Sequence, residues 1–219
     1  VSEIAVFAAL AFTSLLAIIN PLSAIPIYLA ITGAYDTRHR RRTLGRAILT
    51  ALLVLLAFGL LGSQILAFFG ITTYAFKIAG GIIFFGIGWD MLQARRSRVK
   101  ATEEEELEGT AREDVGIIPL GLPTLAGPGA ITTMIALMGQ APTLGHKAVV
   151  YGALVGVLAI SWAVLSAAPA VLRTLGQTGM NVMTRIMGLL VTVVGVQFVL
   201  DGLGTAVRDL FGVGTGAGA

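Results

Sequence analysis

The sequence predicts an all-α integral membrane protein of six transmembrane helices, arranged as two inverted three-helix repeats with broken first helices (spans one and four). Three observations carry this expectation. Only 12% of the 219 residues are charged and 56% are hydrophobic, with a mean hydropathy of +0.87. A soluble domain carries about 25% charged residues, so this chain lacks the polar surface to cover itself. Apolar runs long enough to cross roughly 30 Å of hydrocarbon recur along the chain. Finally, motifs of the first half return in the second at a nearly constant offset.

In chain order the spans are expected near residues 4–32, 45–69, 72–93, 116–140, 148–172 and 180–203. The first three make one repeat (1–93), and the last three, with the Gly-rich tail "GVGTGAGA", make the second (116–219). Between them, 94–115 reads as a cytoplasmic charged linker: residues 94–114 hold five basic and seven acidic residues and almost nothing large and apolar. Such a segment buries too little to repay its ordering entropy. The first apolar run is far longer than the h-region of a cleavable leader, so none is expected there.

Orientation follows from the basic residues. Twelve of the 15 Lys and Arg residues fall in or beside the loops after spans one, three and five, and three (Lys77, Lys147, Arg208) on the other side. The positive-inside bias makes those loops cytoplasmic and puts both termini outside. The formal charge of +3 and pI near 9.6 have the same origin, so no nucleic-acid partner is expected. Zero cysteines exclude disulfides and thiolate ligands.

Span one contains "INPLSAIPIY" (19–28), two prolines and an asparagine inside a run free of charge from 4 to 35. Span four contains "PLGLPTLAGPG" (119–129) inside a second run of the same length, 115–146. A straight helix of 32 residues would be about 48 Å long, more than a bilayer needs. Proline removes a backbone donor, so Pro21 and Pro26 deprive the carbonyls of Ala17 and Leu22 of their helical donors, and Pro128 that of Thr124. The two breaks correspond: Pro21 and Pro128 are 107 residues apart, and Ala24-Ile25 and Ala130-Ile131 106 apart. "KIAGG" and "RIMGL" repeat at 108, and "LGRAIL" and "LGHKAVV" open spans two and five at 100 to 101. Three spans is an odd number, so the second repeat enters the membrane upside down.

One broken membrane helix is commonly a structural kink, repaired by its neighbours. Two breaks at matching positions of an inverted repeat point instead to the central site of a secondary transporter. Half-helices starting after each break aim amide N–H groups and positive dipole ends at one place, which suits a carboxylate. The candidate substrate-binding residues are Asn20, Pro21, Ser23, Pro26, Gly127, Pro128, Gly129, Thr132 and Thr133. The asparagine and hydroxyls would hydrogen-bond a small neutral solute, and the glycines would let backbone approach it closely.

Carboxylates at mid-membrane depth are missing. Asp90 and Asp201 stand near the ends of spans three and six at nearly equivalent repeat positions, which makes them candidates for coupling to a proton or sodium. Lys77 and Arg185 also correspond and read as side chains that snorkel to opposite interfaces. Gly152 and Gly156 form a small-xxx-small pair, as Gly80/Gly81 and Gly86/Gly88 nearly do, expected at close helix contacts. Two distant histidines, His39 and His146, make no metal site, and no catalytic residue, cofactor or metal is expected.

The motifs "NPLSAIPIYLAIT" (20–32), "PTLAGPGAIT" (123–132) and "KIAGGIIFFGIG" (77–88) resemble those of the MarC-related family of bacterial and archaeal membrane proteins, and the resemblance covers essentially the whole chain. It implies six membrane helices, a place in the prokaryotic plasma (inner) membrane near the LysE-type exporters, and, for some members, transport of glycine, alanine and related amino acids. Of the site residues, Asn20, Pro21, Pro26, Gly127, Pro128 and Gly129 carry over with the motifs. The expected function is a secondary transporter of small neutral amino acids working by alternating access, with the lipid bilayer and a small neutral solute as partners. The alternatives are an intramembrane enzyme, a non-transporting membrane protein, or an exporter of another small solute.

Overall fold

A computed structural model describes residues 2–33, 35–93 and 116–211. The expected linker at 94–115 and the Gly-rich tail at 212–219 lie outside them. Every regular element among the described residues is helical. Helix α1 (Glu3–Ile19) is followed after one residue by α2 (Pro21–Thr32), then α3 (Thr37–Phe68) and α4 (Thr73–Leu92). A π-helical segment, Gly116–Leu125, leads to α5 (Pro128–Gln140), α6 (Leu144–Ser166) and α7 (Ala168–Phe211), the last interrupted at Gly176 (φ 63°).

Among the described residues five helical stretches are long and apolar enough to cross a membrane: Glu3–Thr32, Thr37–Phe68, Thr73–Leu92, Leu144–Ser166 and Thr178–Phe211. Six spans were expected. The expected fourth, 116–140, is divided into a π-helical piece of 10 residues and an α-helix of 13. At 1.5 Å per residue α5 is about 20 Å long, too short to cross alone.

Polar side chains start the helices. Asp36 Oδ1 accepts from the His39 amide at 2.7 Å, so α3 begins in the basic segment "TRHRRR", eight residues before the expected span. Thr72 and Thr143 cap α4 and α6 in the same way. Arg40 donates through Nη2 to the Thr32 carbonyl at 3.1 Å, which ties the start of α3 to the last turn of α2. A cation there also meets the negative end of the helix dipole. Gly70 (φ 64°) lets the chain reverse between α3 and α4.

The core lies where α1, α3, α4, α5 and α6 converge, on Leu15, Ile18, Leu55, Phe84, Met134 and Leu154. The most extensive pairing is α4 against α7, and it rests on glycine. A Cβ added at Gly81 would stand 2.5 Å from the Gly195 carbonyl oxygen, and one at Gly88 2.7 Å from that of Gly188. The partners run antiparallel, because Gly202 meets Ile78 at the other end. Of the expected small-residue contacts, those at Gly80, Gly81 and Gly88 are made. Those at Gly86 and Gly152 are not: both face open space in this chain, and Gly156 meets the Phe12 ring at 3.6 Å. Their spacing suited close packing, but the neighbouring helices approach other faces.

Gly81→Val should therefore lower the thermal-unfolding midpoint of the purified protein, since forcing side chain into such a contact costs about 1–3 kcal/mol. Gly152→Val should leave it unchanged. Equal shifts would show that the α4–α7 contact does not depend on backbone proximity.

Candidate functional site

Both expected breaks exist, and they are built differently. At the first, Asn20 alone leaves the helix, with φ 46° and ψ 72°, the one positive φ at a non-glycine residue among those described. Its amide still donates to the Leu16 carbonyl at 2.9 Å and so closes α1. Its carbonyl accepts from the Ser23 hydroxyl at 3.0 Å, and its side-chain oxygen accepts from the Ser23 amide at 3.3 Å and so caps α2. Pro21 occupies the first turn of α2, where a missing N–H costs nothing. Pro26 lies inside α2.

The second break spans Ala126 and Gly127. The π-helix before it closes with the Ala126 amide donating to the Gly121 carbonyl at 3.0 Å, five residues back. Beyond it, Pro128 opens α5 as Pro21 opens α2. A Cβ at Gly127 would stand 2.5 Å from the Pro123 carbonyl oxygen, so the backbone folds back on itself there.

The structure brings the two breaks together. A Cβ at Gly129 would meet Ile18 at 3.2 Å and Phe84 and Ile87 at 3.3 Å, so the first turn of α5 abuts the last turn of α1 and the middle of α4. Asn20 is 1% exposed, and its Nδ2 points at the Met91 sulfur, 3.9 Å away on the same helix α4. A thioether is a weak acceptor, so that donor is poorly served. Thr132 and Thr133 are buried, Pro21, Gly127 and Gly129 are buried, Ser23 and Pro26 are half-buried, and the Pro128 ring is exposed.

The expected role of the hydroxyls changes in one respect. Thr132 and Thr133 each donate at 2.9 Å to the carbonyl four residues back, of Pro128 and Gly129, and Ser23 donates to Asn20. Apolar surroundings favour this local pairing, because an unpaired hydroxyl there is costly. They offer a solute lone pairs, while Asn20 Nδ2 offers a proton.

Sequence reasoning missed the lid. Phe84, Ile87 and Met91 of α4 cover both breaks, and the Thr132 methyl sits on Gly80, where a Cβ would collide with it. The "KIAGG" motif carried a signal for this contact, whereas nothing marked the three apolar residues. Beyond Thr132 a cavity of about 830 Å³ opens beside the α3–α4 turn, lined by Leu66, Thr72, Lys77, Ile135 and Arg208 among others. A second, of about 480 Å³, lies between α3, α5 and α6 and shares Ser63, Ile135 and Gly139 with it. Lys77, expected to snorkel, is instead 9% exposed at the edge of the first cavity. Its repeat counterpart Arg185 is exposed.

Asp201 is half-buried and accepts from Gln197 Nε2 at 2.7 Å, and its charge acts on Lys77. Asp90 is half-buried near the end of α4. Among the described residues no cluster of His, Cys, Asp or Glu could hold a metal ion.

The description of MarC family integral membrane proteins matches residues 5–207. The chain belongs to the MarC family. It is 37% identical over 195 residues to a UPF0056 membrane protein of Methanocaldococcus jannaschii, covering 89% of this chain and 94% of that one. It is 35% identical to the UPF0056 membrane protein YvbG of Bacillus subtilis over 88% of this chain and 92% of the relative. It is 34% identical to YhcE of Escherichia coli, over 88% and 89%. No solved structure gives a significant match. This MarC-family chain is thus a multi-pass membrane protein with bacterial and archaeal relatives, and its exposed apolar residues contact lipid.

Asn20→Ala should destabilise this MarC-family protein by about 1–2 kcal/mol, through loss of the cap and through strain in the left-handed region. Asn20→Gly keeps the backbone and should cost only a few tenths of a kcal/mol. Thermal denaturation of the pair in one detergent checks this order.

Proposed function

We propose that the protein is a secondary transporter of small neutral amino acids of the glycine and alanine class. The juxtaposition of two broken helices under α4 carries this reading. At both breaks a helix stops, a proline opens the next, and a poorly served donor or a bare glycine backbone faces the junction. A carboxylate is stabilised by helix N-termini, and an ammonium by lone pairs such as those of Thr132 and Thr133.

In this reading the chain crosses the membrane six times, with the π-helical segment and α5 together forming the fourth crossing. The α4–α7 contact supports an inverted repeat. An offset of 107 residues, the one relating Pro21 to Pro128, takes Gly81 to Gly188 and Gly88 to Gly195. It therefore exchanges the contact Gly81–Gly195 with the contact Gly88–Gly188, as a two-fold axis would. That axis passes beside Phe84, which covers Gly129. Alternating access then consists of α4 leaving the breaks on one side while the pair closes on the other. Asp90 and Asp201 are the coupling candidates for a proton or sodium. We place the protein in the prokaryotic plasma membrane with the basic loops cytoplasmic and both termini outside.

Reconstituted protein should take up labelled glycine or L-alanine saturably, and Asn20→Ala combined with Gly129→Leu should abolish uptake while the protein still inserts. If wild type matches empty liposomes across small neutral solutes, the amino-acid assignment is wrong. Orientation has its own check, which the lack of native cysteine makes simple. In intact cells an impermeant maleimide should label Ser2→Cys and spare Arg41→Cys until the membrane is opened.

A further inference from the structure

A cation held inside a membrane protein asks for an explanation. The Lys77 side chain is 91% buried, which follows from its 9% exposure, and lines the 830 Å³ cavity beside the α3–α4 turn. Among the described residues no acceptor takes a hydrogen bond from its ammonium. Asp201 is engaged by Gln197 at 2.7 Å. The Lys77 ammonium carries no hydrogen bond and opens onto the cavity, where a carboxylate can reach it. A lysine required only for solubility would extend to the interface. This one lines the cavity, one helical turn from Gly80, on which Thr132 rests.

We propose that this cavity is a binding site for a small monocarboxylate solute, whose carboxylate docks on the Lys77 ammonium before it reaches the paired breaks. The occupant's charge follows from the surroundings. The charged residues of the lining are Lys77, Arg208 and Asp209, which leaves one positive charge in excess. A dianion such as phosphate would exceed that single positive charge and face Asp209, whereas one carboxylate balances it. A zwitterion gains further, because its ammonium finds an acidic residue on the same wall. The adjoining cavity offers a second polar handle. The Tyr151 hydroxyl lines that side, is buried, and has no hydrogen-bond partner. Orphaned buried hydroxyls are uncommon and call for an explanation. A solute extending past Ile135 and Gly139 would satisfy it.

In naming amino acids as the occupants this inference rests on the transport reading, but the carboxylate site can be tested without it. Purified protein in detergent is titrated with glycine, L-alanine and acetate, and separately with glycinamide and ethanolamine, which keep an amine and lack the carboxylate. Thermal stabilisation reports binding. Wild type should respond to the carboxylates alone, Lys77→Met should weaken their apparent affinity at least ten-fold, and Lys77→Arg should retain most of it. Gly139→Leu adds bulk to the lining from α5, beside Thr73, and should weaken binding while Lys77 stays in place. A second arm measures uptake in liposomes. Binding that needs Lys77 without any uptake supports this site and removes the transport reading. Uptake with an unchanged KM in a monodisperse Lys77→Met protein does the reverse. A wild type that no carboxylate stabilises, or a Lys77→Met protein that responds as wild type does, overturns the site.

Discussion

Hydrocarbon does not solvate a peptide bond, and the structure is arranged around the two places where this chain interrupts its helices inside the membrane. Every interruption exposes donors and acceptors that must find partners within protein. At Asn20 the solution is local. One residue takes a left-handed conformation, closes α1 with its amide, and receives Ser23 on both its oxygens. At Gly127 the solution is longer. The chain widens into a π-helix, closes it from Ala126, and restarts at Pro128 with threonine hydroxyls bonded to the first carbonyls of α5. Both repairs consume groups that a binding site would otherwise use, so the donors left over identify the site more sharply than the polar residues as a set.

The breaks also determine which helices must be bare. Because α5 begins at the break, its first turn has to reach past Ile18 to Phe84 and Ile87, and Gly129 permits that approach. Helix α4 is then pressed between the breaks on one side and α7 on the other. Its two faces are cleared by different glycines: Gly80 receives Thr132 of α5, while Gly81 and Gly88 receive the backbone of α7. Adjacent residues on a helix point about 100° apart, which is why the doublet Gly80-Gly81 serves two neighbours at once.

Much of this was legible in the sequence, and the failures have physical causes. Proline after asparagine or glycine marks a helix start, so both breaks fell where Pro21 and Pro128 put them. Helix ends were read less well, because hydropathy does not register a cap. Asp36 starts α3 inside a basic segment that the apolar pattern excluded. The π-helix left no trace beyond its two prolines, Pro119 and Pro123. Lys77 is more enclosed than its distance from a helix end suggests, because the sequence does not reveal that α3, α5 and α7 surround that turn of α4. The small-xxx-small pattern gave the right contact at Gly88 and none at Gly152, since spacing specifies a face without specifying what meets it.

The contact between α4 and α5 beside the cavity is thin, and its position is informative. Thr132, Ile135 and Gly139 follow one another along α5 at helical spacing, so a single face runs from the break to the cavities. Along α4 the corresponding face holds Lys77, Gly80 and Phe84, in the same order from the cavity inward. Where the two faces touch, a threonine methyl rests on a glycine with no side chain to interlock. Large side chains there would interdigitate and resist sliding, as close-packed interiors do. A methyl on bare backbone separates at the cost of few contacts. Helix α5 is a short rod joined to the π-helical segment through Ala126 and Gly127, so small rotations about that break would lift Thr132 from Gly80.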